Sequence, residues 1–346
     1  MGKWQKSLAE SLESPAELAG RFHLDAELLQ RVAARYPMRI SRYYLGLIES
    51  EGDPIWLQSM PDLRELSDSQ QSDPLNEAEL SPVPGLIHRY PDRVVWLVSN
   101  QCATYCRFCM RKGRVGCRGR GGSSVDLPGV LDYISANAAI RDVILSGGDP
   151  LLLEDDVLEA ILTGLRRIPH LEIIRIGTRA PVTLPERITP NLCRMLKQHH
   201  PLFVNTHFNH PREITAASAL ACARLADAGI SLGNQSVLLK GVNDNPEVMV
   251  SLMQRLLAIR VRPYYIHQMD LVQGTRHFRT RVGQGIAIME SLRGHTSGLA
   301  VPAYVVDLPG GKGKVPLLPE YATVREGGFL LRNHLGEIVS YDDIPE

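Results

Sequence analysis

From residue 92 onward the chain repeats one pattern: a short apolar run, a glycine-rich or polar turn, then a stretch with helical spacing. The run at 94–98, Val-Val-Trp-Leu-Val, suits a strand buried on both faces. Further strands are predicted at 142–145, 172–177, 202–205, 231–232 with 237–239, and 263–266. Helices are predicted between them at 127–137, 155–167, 216–228 and 246–259. Such alternation calls for parallel strands joined by helical crossovers. In 346 residues it predicts an α/β fold, a partial (β/α)6 TIM-type barrel with an N-terminal helical extension. Chemistry in such barrels stands just past the C-terminal ends of strands. Four polar clusters fall there: the cysteine loop from Gln101, then Gly147-Gly148-Asp149, Thr206-His207, and 267–270.

The extension, residues 1–84, reads as polar and helical. Ser14-Pro15-Ala16-Glu17 is a capping box with proline at the first helical position. Leu24, Leu28, Leu29 and Val32 follow at helical spacing as far as Pro37. Ile40, Tyr43, Tyr44 and Leu47 predict another helix, stopped by Gly52-Asp53-Pro54, and 62–71 reads as loop. No chemistry is legible there, so the extension is expected to pack on the barrel or on a second subunit. The barrel core is expected over 85–300 and a C-terminal loop and tail over 301–346.

Apolar residues make up 44% of the chain and charged residues 22%, and the formal net charge is zero. This is an ordinary globular composition with no bias toward nucleic acid or an anionic membrane. The N-terminus lacks the apolar core of a signal peptide, and Lys6 stands where a myristoylation signal needs Ser or Thr. No run approaches the ~18 apolar residues of a membrane span. Six cysteines, three of them crowded together, do not make a disulfide framework, so a reducing cytoplasm is the expected location.

The crowded three are Cys102, Cys106 and Cys109, spaced C-x₃-C-x₂-C. They can hold three irons of a [4Fe–4S] cubane and leave the fourth iron open to a ligand. A partial zinc knuckle or a buried thiol cluster uses the same residues, but Arg107, Arg111 and Lys112 beside them do not suit core packing. Cys193 and Cys222 lie in helical text and are expected in the core, and Cys117 has no assignable role. Gly310-Gly311-Lys312-Gly313-Lys314 suggests a phosphate loop. The Walker pattern fails, because Val315-Pro316 supplies neither the hydroxyl nor the helix.

With Phe108 before its last cysteine, CxxxCxxC resembles the cluster loop of the radical S-adenosylmethionine enzymes. An ordered set of motifs from Asp73 to Pro319 resembles the lysine 2,3-aminomutase family. It comprises HRYPDRV, CATYCRFCMR, SGGDPLL, THFNHPREI, GNQSVLLKGVND, RPYYIHQMDLVQG, HFRT, LRGHTSG and VVDLPGGKGK. The resemblance implies a radical S-adenosylmethionine barrel that uses a [4Fe–4S] cluster, S-adenosylmethionine and pyridoxal phosphate. Its reaction is a 1,2-amino shift that turns L-lysine into β-lysine. An electron donor such as flavodoxin or ferredoxin and a homo-oligomer are implied as well.

By the same resemblance Cys102, Cys106 and Cys109 hold the cluster. Gly147, Gly148 and Asp149 meet the amino group of S-adenosylmethionine; glycines allow close approach, and a carboxylate can accept from an ammonium. His207 and Gln235 lie near the adenosyl part. Lys314, rather than Lys312, forms the Schiff base with pyridoxal phosphate, its glycine loop letting it swing away, and Arg89 and Arg93 grip the phosphate. Arg111 takes the substrate carboxylate, and Asp270 and Asp307 the side-chain ammonium. The family's larger members carry structural zinc on cysteines near the C-terminus and in the GVND region. Here 241–246 and everything after Cys222 lack cysteine, so no structural zinc is expected. Shortness and zinc loss also resemble the branch that supplies β-lysine for modifying elongation factor P. The motifs leave room for a 2,3-aminomutase acting on glutamate or arginine, and the cysteines alone would also suit a non-enzymatic iron–sulfur electron carrier.

Overall fold

The computed structural model describes residues 2–67, 70–117 and 126–343. One nine-stranded sheet organises it, with strands neighbouring in sequence order: β1 (Leu86–Tyr90), β2 (Arg93–Ser99), β3 (Asp142–Gly147), β4 (Ile173–Gly177), β5 (Leu202–Thr206), β6 (Ser231–Leu238), β7 (Arg262–Gln268), β8 (Ala303–Asp307) and β9 (Lys314–Pro316). β2 to β8 run parallel, and β1 and β9 pair antiparallel at the edges. The six predicted strands are β2 to β7. β8 adds a seventh parallel strand, so the sheet continues past residue 300. β6 is continuous where the sequence pattern breaks at Gly233-Asn234. The buried Asn234 is tolerated there because its amide accepts from Phe208 N and donates to Phe208 O.

The sheet curls. Arg89 on β1 and Asp307 on β8 stand near opposite ends of the strand order, yet they form an ion pair at 3.3 Å. The Lys314 amide donates to the Tyr90 hydroxyl at 2.8 Å, tying the first strand to the last. The expectation of strands buried on both faces is corrected. Val94, Trp96 and Val98 of β2 are buried, whereas Val95, Leu97 and Ser99 are only half-buried. The same alternation runs through β3 and β4. One face packs under the helices, and the other lines the concave side.

Two helices of the extension, Pro15–Phe22 and Ala26–Arg35, start on Ser14 and Asp25 caps. Ser14 accepts from the Glu17 amide, but Glu17 turns its carboxylate to Arg42 instead of closing the box. The helix predicted around 40–47 is only one turn, Arg42–Leu45. Asp53-Pro54, read as a stop, is a start. Asp53 caps Pro54–Ser59 by accepting from the Ile55 and Trp56 amides, the usual role of aspartate before a first-turn proline. Leu12, Leu18, Ile40, Tyr44 and Ile55 belong to the same buried cluster as the barrel's Val143, Ile174 and Val204. Beyond the barrel, β10 (Ala322–Arg325), β11 (Gly328–Arg332) and β12 (Ile338–Asp342) form a separate antiparallel sheet. Among the described residues no helix is long and apolar enough to cross a membrane.

Candidate active site

The loop after β2 carries Cys102, Cys106 and Cys109, each half-buried. It is folded tightly, with the Cys109 amide donating to the Cys106 carbonyl at 3.1 Å. Burial pushes the Cys102 thiol well above its ordinary pKa, and nearby Asp149 and the other two sulfurs add to this. Burial followed by Cys106 pushes Cys109 up to about 11. The three sulfurs therefore lie within electrostatic reach of one another, and burial disfavours the thiolates of Cys102 and Cys109 unless a cation holds them. Among the described residues no group of three or more His, Cys, Asp or Glu side chains converges on one ion. A cubane bound through three separate irons does not require such convergence, so the trio fits the cluster.

Ionic contacts that the sequence did not announce hold this loop. Glu65 lies in the 62–71 segment read as featureless, on a short turn, Leu63–Glu65. Its carboxylate is fully buried and pairs with Arg107 at 2.5 Å and Lys112 at 2.7 Å. Burial, then Arg107, lowers the Lys112 amine to about 8, although Glu65 opposes this. Arg179, just past β4, reaches Cys106 Sγ with Nη1 at 2.8 Å and the His207 carbonyl with Nε at 3.1 Å. Its Nη2 donates to Glu213 and Gln58, both at 2.6 Å, and to the Tyr44 hydroxyl at 3.0 Å. A single arginine with no motif around it gives no local signal. The clue lay only in its place just after a barrel strand.

Gly147-Gly148-Asp149, expected to meet S-adenosylmethionine, also shapes the protein around the cysteine loop. A Cβ on Gly147, at φ 118°, would collide with the Ser99 carbonyl, and one on Gly148 would collide with Gln101. The glycines let β3 end against the cysteine loop, where the Gly148 amide donates to Ser99 at 2.6 Å. The Asp149 carboxylate is buried and turned inward. It accepts from Leu151 N at 3.0 Å, Thr178 Oγ1 at 2.6 Å and Arg179 N at 2.9 Å. Within this structure it organises its own loop. Close by, His207 packs its ring on Phe108, and burial holds its imidazole well below its ordinary pKa, hence neutral. Its Nε2 is buried without a protein partner and can meet a polar ligand group. Gln235 stands on β6 at a register shift against β7.

The second half of the site closes over Asp307, at the end of β8. Lys314, its register partner across the β8–β9 hairpin, gives its amine to both carboxylate oxygens, at 2.7 and 2.9 Å. Arg89 reaches the same carboxylate at 3.3 Å and His267 at 3.4 Å. Burial pushes Asp307 up, but the His267 hydrogen bond and Lys314 together hold it down, at about 2. Asp270, past β7, is pushed up to about 7 by burial and by Asp307. Arg111 is gripped by Glu77 at 2.7 and 3.0 Å and reaches Ser146 at 3.2 Å. Glu77, in the extension, joins Glu65 and Arg179 as a residue whose part the sequence did not reveal.

Arg89 keeps its Nε buried without a partner, a donor free for an anion, as a phosphate-bearing cofactor requires. Arg93 lies at the opposite end of β2 from the cysteines, paired with Asp92 at 2.9 Å and stacked on Tyr90. The loop before Lys314 is shaped rather than slack. Gly310, Gly311 and Gly313 all have φ between 71° and 95°. The Gly310 amide donates to Pro74 and the Leu308 amide to Gly313, both at 2.8 Å. These bonds order the loop while the Lys314 amine rests on Asp307.

Residues 96–253 match the family model of the radical SAM superfamily, and 289–346 match that of lysine-2,3-aminomutase. The L-lysine 2,3-aminomutase of Fusobacterium nucleatum is 49% identical over 346 residues, covering 98% of this chain and 81% of that protein. That of Methanococcus maripaludis is 51% identical over 320 residues, covering 90% and 74%. The glutamate 2,3-aminomutase of Clostridioides difficile is 45% identical over 348 residues, covering 99% and 82%. With near-complete coverage at this identity, the chain belongs to the lysine 2,3-aminomutase family of the radical S-adenosylmethionine superfamily.

Proposed function

We propose that this enzyme moves the α-amino group of L-lysine to the β-carbon, giving β-lysine. The observation that carries the choice of substrate is Asp307, which receives an ammonium, that of Lys314, at 2.7 and 2.9 Å with Asp270 in electrostatic reach. The same seat suits the side-chain ammonium of lysine and repels the side-chain carboxylate of glutamate. Identity alone does not decide this, since a lysine aminomutase at 51% and a glutamate aminomutase at 45% stand close together.

When bound, the cluster and S-adenosylmethionine supply hydrogen abstraction, and pyridoxal phosphate supplies covalent attachment of the migrating nitrogen. The residues that would hold these groups are Cys102, Cys106 and Cys109 for the cluster and His207 and Gln235 near the adenosyl part. Gly147, Gly148 and Asp149 would meet the amino group of S-adenosylmethionine. Arg89 and Arg93 would take the phosphate, and Lys314 would be the cofactor's amine. Arg111 receives the substrate carboxylate; its bond to neutral Ser146 is the exchangeable one, while Glu77 keeps the fork oriented. His267, kept neutral by burial and by Lys314, orients Asp307 without adding charge. The chemistry calls for a low-potential one-electron donor of the flavodoxin or ferredoxin type and suits a reducing compartment.

The test is anaerobic incubation of the reconstituted enzyme with a reductant, S-adenosylmethionine and either amino acid, with products identified by mass spectrometry. Lysine should be converted at least tenfold faster than glutamate. D307N should lose most lysine turnover while keeping its iron. Comparable turnover of glutamate overturns the assignment.

A further inference from the structure

We propose that Arg179 is a positioning residue that sets how readily the cluster takes up an electron, with Glu213 as its counterweight. The inference rests on Cys102, Cys106 and Cys109 holding the cluster, as proposed above. Arg179 is a buried guanidinium whose Nη1 stands 2.8 Å from Cys106 Sγ. The contact is built in. Nε is fixed on the His207 carbonyl, Nη2 on Glu213, Gln58 and Tyr44, and the plane lies over the Tyr44 and Phe108 rings at 5.2 and 5.3 Å. Glu213 is immobilised in turn, accepting from the Asn209 and His210 amides at 2.5 and 2.9 Å. Tyr44 adds its hydroxyl at 2.6 Å. A lysine could not span these partners, because only the planar fork presents several donors in fixed directions.

The direction of the effect follows from charge. Reduction adds a negative charge to a cluster whose sulfurs carry much of it, and a cation donating to one sulfur favours the reduced form. The opposing carboxylate of Glu213, 2.6 Å behind the guanidinium, tempers that field. In buried surroundings both effects exceed their value in water. A clamp with a purely structural role would respond to loss of either partner in the same way. A tuning pair responds with opposite signs.

The experiment is a redox titration of the anaerobically reconstituted full chain, following the cluster by optical and electron paramagnetic resonance spectra. In R179Q the ratio of reduced to oxidised cluster at a fixed potential should fall about tenfold, the equilibrium worth of one charge-assisted hydrogen bond. R179K should recover part of that loss. E213Q should raise the ratio. Shifts of the same sign in R179Q and E213Q, or none in either with iron content intact, overturn the inference. Should R179Q hold less iron, the sign of the E213Q shift decides alone. An unmodified chain that binds no cluster overturns the cluster assignment, and this inference with it.

Discussion

Asp270 and Asp307 serve one seat with opposite titration behaviour. Burial raises both. Asp307 gains His267 and Lys314 as partners and stays ionised down to about 2, whereas Asp270 faces Asp307 itself and is pushed up to about 7. A carboxyl that is protonated below about 7 cannot balance an ammonium. The lysine KM should therefore rise as pH falls from 8 to 6, approaching tenfold per pH unit well below the pKa. In D270N this pH step should vanish while KM stays uniformly high, and KM profiles over that range check both. Stability shows the same sign from the other side. A folded-state pKa above the unfolded one makes the ionised group unfavourable to folding as pH rises from about 4 through about 7. D270N should then raise the ligand-free melting temperature at pH 8 but not at pH 4. A melting temperature unchanged at pH 8 would show that Asp270 is not perturbed.

The cluster loop is held less by its own residues than by short elements that look inert in sequence. The turn Leu63–Glu65 places a fully buried carboxylate between Arg107 and Lys112. Removing that anion strands two buried cations, a change that costs about 3–5 kcal/mol when one partner of a buried pair is lost. E65A should lower stability by that amount in chemical denaturation, whereas an exposed acid such as Glu27 changed to Ala should stay within ~0.5 kcal/mol. Equal small effects would mean that the pair is not what pins the loop. This element also marks the limit of sequence reading. The cysteines were legible because they are crowded together and follow a predicted strand, whereas Asp307 and Lys314 were legible only through motifs that resemble the family. Glu65, Glu77 and Arg179 were not, because the ionic partners that reveal their roles lie far away along the chain. The strand order was legible from alternation alone, but the seventh parallel strand was not. Ala303–Asp307 is short and runs straight into a glycine loop that draws attention to itself.

At the scale of the whole molecule, the extension and the barrel form one body. Leu18, Ile40, Tyr44 and Ile55 are fully buried in the same cluster as the barrel strands, and Tyr44, Gln58, Glu65 and Glu77 reach from the extension to the site. A segment that donates both core and site residues has little apolar surface of its own to sustain a separate fold, so it should open only when the barrel opens. Hydrogen–deuterium exchange at increasing denaturant tests this. The slowest amides of the helix Ala26–Arg35 should converge with those of β3 and β4 on one global opening energy. Ile40→Ala, which empties a fully buried site, should lower that shared energy by ~2–5 kcal/mol in both sets. A loss confined to the extension, with β3 and β4 unchanged, would make the extension an independent unit, and its contacts with Arg179 and Arg107 could then come and go without the barrel. Equal losses in both sets would mean that the geometry around Cys106 is set by the stability of the whole chain.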